Sequence, residues 1–173
     1  KDRTYFPLNL RVYPTVAQYH RDEPALDILG MMMGSGNNSV FYKKFVKTEI
    51  AADASVNHRS EELSGEFSIQ IFAYPPEDFN LEKLFTDLDN KVKETIDEFE
   101  KTGITDEALN RAKSELESGY LGILDGGVQG KAGIISEWER LLGKTFTVSD
   151  EIDRYAKVTK EDIARVFAKY IKG

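Results

Sequence analysis

The sequence contains no cysteine. That excludes disulfides, thiolate metal sites and a cysteine nucleophile. Basic residues are outnumbered by acidic ones, 23 against 30, for a net charge of -7. Phosphate contacts need a basic face, so no general nucleic-acid binding is expected. The same deficit argues against attraction to anionic membranes. The longest apolar run, around residues 28–33, is far short of the ~20 residues of a membrane span. No low-complexity tract or internal repeat stands out. No signal peptide is visible and the first residue is Lys1. The expectation is a chain that is processed or cut from a longer one.

A folded core is well provided for. Leu, Ile, Val and Phe make up about a quarter of the 173 residues, above the ~20% at which disorder sets in. The length suits one domain. Such a chain buries about 70% of the surface it exposes when unfolded.

Periodicity then divides the chain. Leu8, Leu10 and Val12 alternate with Asn9, Arg11 and Tyr13, which predicts a strand ended by Pro14. Pro24 opens an apolar helix containing Ala25, Leu26, Ile28, Leu29, Met32 and Met33. Asp22 or Glu23 is expected at its cap. Gly34-Ser35-Gly36-Asn37-Asn38-Ser39 stops that helix, and a short one carries Val40, Phe41, Phe45 and Val46. Ala52, Ala54 and Val56 alternate with Asp53, Ser55 and Asn57. Phe67, Ile69, Ile71 and Ala73 alternate with Glu66, Ser68, Gln70 and Phe72. The polar link from His58 to Gly65 predicts an antiparallel hairpin.

The rest reads as helix. Leu81, Leu84, Phe85, Leu88, Val92, Ile96 and Phe99 keep a three-or-four spacing up to Gly103. Thr105 caps the next helix, whose face is Leu109, Ala112, Leu116, Tyr120 and Ile123. Gly126-Gly127 break the chain. A further helix carries Val128, Ala132, Ile135, Trp138 and Leu142. Ser149 starts a short helix through Ile152 and Tyr155. Thr159 with Asp162 predicts a capping box, and Val158 with Ile163 its staple. Strands segregated from a block of helices make an α+β domain. Three strands are few for this much helix, so one more is expected beyond Gly173 or before Leu8.

Candidate chemistry is sparse. His20 and Glu23 have the His-x-x-Glu spacing of helical zinc motifs, but Pro24 stands where a second His would follow. A zinc site needs three protein ligands in most cases, so His20 reads as a loop residue before a helix cap. Gly34, Gly36, Asn37 and Ser39 lack the Lys-Ser/Thr and the preceding strand of a phosphate loop. They read as a structural turn between helices. No Gly-x-Ser-x-Gly elbow is present. Acidic pairs such as Glu61-Glu62 and Glu77-Asp78 fall in loops, where solvated carboxylates are ordinary. Asp53, Ser55 and Asn57, with Arg59 beyond them, share one strand face. That face is either solvated or lines a cavity.

A resemblance takes the reading further. Its pieces are Asp22 to Leu29, Gly34 to Ser39 and Phe41 to Val46. They continue through Ala51 to Val56, Gly65 to Ile69 and Tyr74-Pro75. The last are Gly103 to Leu109, Val158 to Ile163, and Tyr170. In this order and spacing they resemble the insulinase/pitrilysin-type zinc metallopeptidases, which include the mitochondrial processing peptidases. The resemblance implies a mainly antiparallel sheet with helices packed on one face. It also implies a chamber formed by two homologous domains. One holds zinc through His-x-x-Glu-His and a distant Glu; its partner closes over the peptide.

This chain has no His-x-x-Glu-His and resembles the partner domain. The resemblance thus implies no catalytic or metal-ligating residue here, with zinc in a homologous catalytic domain of the same chain or a second subunit. Peptide is the implied substrate. Asp53, Ser55 and Asn57 are the candidate chamber-facing residues. The pattern departs where active partner domains often carry a substrate-binding Arg and Tyr. The nearest positions are Val46 and Asp53 (or Ala52). A trimmed single domain over residues 1–173, lacking its last strand, is expected. A bacterial periplasmic or envelope setting fits the resemblance, and the cytoplasm stays open. Two other readings compete: an inactive scaffold of the same family, and an independent hydrolase using His20 and His58.

Overall fold

The computed structural model describes residues 6–77, 80–125, 127–143 and 147–172, with the backbone only at 123–125, 129 and 130. Three antiparallel strands, β1 (Leu8–Thr15), β2 (Ala51–Ser60) and β3 (Gly65–Ala73), lie in the order β1-β3-β2. The helices are α1 (Glu23–Gly34), α2 (Leu81–Thr102), α3 (Asp106–Asp125), α4 (Gly127–Leu142), α5 (Val148–Ala156) and α6 (Lys160–Val166). Two π-helical turns, Tyr42–Val46 and Phe167–Lys172, follow α1 and α6. The α+β expectation holds.

The core lies between one sheet face and the helices. Phe67, Ile69, Ile71, Ala54 and Val56 point down from the sheet. They meet Leu26, Leu29 and Met33 of α1, Val92 and Phe99 of α2, and Ile163 and Phe167 behind. Helix α1 lies directly on β2. An ideal Cβ on Gly34 would stand 2.4 Å from the Val56 backbone nitrogen, and one on Gly30 3.2 Å from that of His58. At Gly34 only an absent side chain allows this approach.

Several expectations hold in detail. Helix α2 ends at Gly103, and Leu88, Val92, Ile96 and Phe99 are its buried line. Thr105 Oγ1 accepts from the Ala108 N–H. The Thr159–Asp162 capping box is complete, and Val158 and Ile163 are both buried. A second box, Thr147 with Asp150, opens α5.

Others need correction. Pro14 does not end β1, which runs on to Thr15; on an edge strand its missing N–H costs no ladder bond. The inner face of β1 is the polar one. Asn9 and Arg11 turn inward and bond Asp89 of α2, while Leu8, Leu10 and Val12 are exposed. Ala52 does not share a face with Ala54. A bulge between Ala51 and Asp53 makes Ala51 the buried residue and exposes Ala52. His58 is in β2, not in the link, which shrinks to 61–64. Asp22 occupies the N-cap position of α1 but makes no capping bond there. On α4, Trp138 is buried but Val128 and Ile135 are exposed. Gly126 and the Ile123 side chain lie outside the described residues.

Candidate functional site

The sheet has a second face that no described helix covers. Strand register sets side chains on it in four rows: Leu8–Phe72–Asp53, Leu10–Gln70–Ser55, Val12–Ser68–Asn57 and Pro14–Glu66–Arg59. The β1 end of each row is apolar and the β2 end polar. Leu8, Leu10 and Val12 are 42%, 51% and 49% exposed. Asp53 and Asn57 are exposed and Ser55 is half-buried. Phe6 and Tyr74 pack edge to face. Asp53, Ser55 and Asn57 therefore stand together, as the alternation required. The apolar stripe beside them is the part that sequence reasoning left out of the site. Its signal was present in Leu8, Leu10 and Val12; only the sense of the alternation was missing.

Beneath the sheet, the start of α1 is a hub of buried charge. Asp22 is wholly buried. Its carboxylate accepts from Arg165 at 2.7 Å, Tyr170 at 2.8 Å and Lys169 at 3.3 Å. Burial opposes ionisation, but the Arg165 guanidinium and these other donors outweigh it and hold the acid at about 2. Glu23 accepts from Ser60 at 2.9 Å and Arg154 at 2.7 Å. The carboxylates that the sequence offered as helix caps instead tie α1 to α5, α6 and β2.

These bonds bear on the His-x-x-Glu spacing of His20 and Glu23. Glu23 is engaged on both oxygens, by Ser60 on one and by Arg154 and the Tyr19 N–H on the other. His20 accepts from the Asp22 N–H through Nδ1. Among the described residues no group of three His, Cys, Asp or Glu side chains could hold a metal ion. The pair His20 and Glu23 does not fit zinc.

His58 belongs to a different constellation. Its Nδ1 lies 2.6 Å from Asp27 of α1 and its Nε2 3.0 Å from the Thr15 hydroxyl. Gly65 makes room for Thr15, because a Cβ there would stand 2.7 Å from that hydroxyl. Thr15, His58 and Asp27 have the bonding order of a nucleophile, base and orienting acid. Their setting is unlike an active site. The imidazole has no exposed surface. A cleft of about 460 Å³ reaches Asp27 and His58 between α1, β2 and α3, but Thr15 is not among its walls. A nucleophile must meet substrate, so the three residues act as a clamp between sheet and helix.

The model of the family described as the peptidase M16 inactive domain matches residues 2–116. The chain belongs to that family. No curated protein matches the sequence. Among solved structures, a protease from Helicobacter pylori superposes with a TM-score of 0.75 at 20% identity, covering 99% of this chain and 40% of that one. The inactive peptidase domain of a Bordetella parapertussis protein described as a zinc protease gives 0.74 at 16%, covering 98% and 87%. Complex III of Candida albicans contains a chain that gives 0.74 at 10%, covering 98% and 41%. This chain thus spans less than half the length of the Helicobacter protein. As an M16 inactive domain it has the expected one-sided helical cover, and no described helix is long and apolar enough to cross a membrane.

Proposed function

We propose that this M16 inactive domain encloses peptide substrate for a homologous domain that carries His-x-x-Glu-His, zinc and the proteolytic chemistry. The open sheet face carries the reading. Its rows pair an apolar stripe on β1 with hydrogen-bonding side chains on β2. Successive same-face residues on a strand are about 6.6–6.8 Å apart. An extended peptide has the same repeat, so its alternate side chains can follow Leu8, Leu10 and Val12. Asp53, Ser55 and Asn57 then offer polar partners. Val46 and Asp53 (or Ala52), the positions nearest the substrate-binding Arg and Tyr of active partner domains, carry neither residue, so on this reading the grip on peptide rests on this face alone.

The test is metal content and peptide hydrolysis, measured on the chain alone and on the protein purified with its flanking sequence or partner subunit. The expected result is no zinc and no cleavage for the chain alone, with both appearing in the complete protein. Stoichiometric zinc in the isolated chain, lost on His20→Ala, would overturn the proposal. A complete protein that lacks both zinc and cleavage would favour the scaffold reading.

A further inference from the structure

Arg154 of α5 stands between two buried carboxylates. It donates to Glu151 at 2.8 and 3.0 Å and to Glu23 at 2.7 Å, and it lies over the Tyr19 ring at 5.0 Å. The side chains of Glu151 and Glu23 are only 5% and 9% exposed. One guanidinium therefore faces two desolvated acids, and Asp27 lies beyond them. The hydrogen bonds leading from Glu151 to Asp27 are one hydrogen short. Tyr155 spends its only O–H on Asp27 at 2.6 Å. Tyr120 has one O–H and two acceptors, Glu151 at 3.2 Å and the Tyr155 oxygen at 3.4 Å. Since a phenol carries a single donor, one of those contacts is empty while Glu151 is ionised.

We propose that Glu151 is a proton-binding site that completes this wire and tightens α5 against α1 and α3. The added proton sits on a Glu151 oxygen and is donated to the Tyr120 oxygen. Tyr120 then donates to Tyr155, Tyr155 to Asp27, and the other Asp27 oxygen keeps His58. Arg154 keeps Glu23 and the second Glu151 oxygen and gives up only its 3.0 Å contact to the protonated one. The groups facing Glu151 are Arg154 and Tyr155 on α5, Tyr120 on α3, Glu23 and Asp27 on α1, and Tyr19 in the loop before α1. Glu137 of α4 acts on Tyr19 from outside. Burial is the largest influence on Glu151 and raises its carboxyl above the usual range, Arg154 opposing and Glu23 assisting. A folded-state value above the unfolded one means that stability is gained as the pH falls through it. The latch is therefore tighter in acid.

The decisive measurement is a carbon-detected NMR titration of the glutamate side-chain carboxyls in the intact chain. One carboxyl, assigned to Glu151 by its loss in Glu151→Gln, should titrate above the bulk of the glutamates. Glu151→Gln places a permanent N–H donor beside Tyr120. Its advantage in unfolding constant over the wild type should be largest at pH values above the Glu151 midpoint read in that titration and shrink as the pH falls through it. Tyr120→Phe should leave the protein folded and remove the wire. A Glu151 midpoint at or below the other glutamates would overturn the proposal, as would a Glu151→Gln to wild-type ratio that does not change with pH. The midpoint is read on the wild-type chain, and should Glu151→Gln fail to fold, the carboxyl is assigned by its through-bond connection to the Glu151 backbone, so the outcome stays decidable.

Discussion

The same substitution should have opposite signs at two glycines. Gly122 lies within α3, and an ideal Cβ there meets no atom within 4 Å. Alanine at such a position is worth about 0.8–1.0 kcal/mol over glycine, part of it through the unfolded chain. Gly122→Ala should therefore raise stability by about 0.5–1 kcal/mol. Gly34 ends α1, where less helix propensity is at stake. Its Cβ would stand 2.4, 2.6 and 2.7 Å from the nitrogen, oxygen and Cβ of Val56. Two of those atoms are backbone in the sheet and cannot rotate away. Overpacking a tight contact costs about 1–3 kcal/mol, and the rigid obstacle puts Gly34→Ala at the upper end. The helix must lift from β2 or the strand must bend. Urea unfolding followed by far-UV circular dichroism measures both, with the midpoint moving and the slope unchanged. A neutral or stabilising Gly34→Ala, or a destabilising Gly122→Ala, would refute the claimed close approach of α1 to β2.

The Asp22 cluster gives a pH prediction. Its acid falls from 3.8 to about 2 on folding, so its contribution is full above pH 4 and lost as the pH falls through 2. That contribution is about 2 kcal/mol, and Asp22→Asn should flatten the acid limb of an unfolding titration. Trp138→Ala should strip hydrogen-exchange protection from α4 and leave α1 and β3 unaffected, because Trp138 is the only buried side chain described in that helix. Leu10→Gln on the open face should change stability by less than about 0.5 kcal/mol. A loss several times larger would mean that the face is packed rather than open.

Much of the fold could be read from residues whose local physics has one solution. The α2 stripe, the Gly103 stop and the Thr159 box involve neighbours a few positions apart, and each reading holds. What escaped depends on distant partners. The alternation at Leu8–Thr15 shows a strand but carries no sign. Its sign was set by Asp89, nearly eighty positions on, which bonds Asn9 and Arg11. Asp22 reads as a cap until Arg165, Lys169 and Tyr170 come into range. The Ala52 bulge leaves no mark in a run of small residues. Asp53, Ser55 and Asn57 were legible as one face because period two is strictly local. The wire from Glu151 to Thr15 was not, since it gathers six residues from five elements.

Photo-crosslinking in the complete protein addresses the open face itself. A benzophenone side chain would be placed at Leu10, at Ser55, or at Glu94 on the exposed side of α2, and irradiated with an unstructured peptide substrate. Peptide adducts should form from positions 10 and 55 and be absent from position 94. Adducts from position 94 alone, or none from the sheet, would contradict a peptide-enclosing role for this domain.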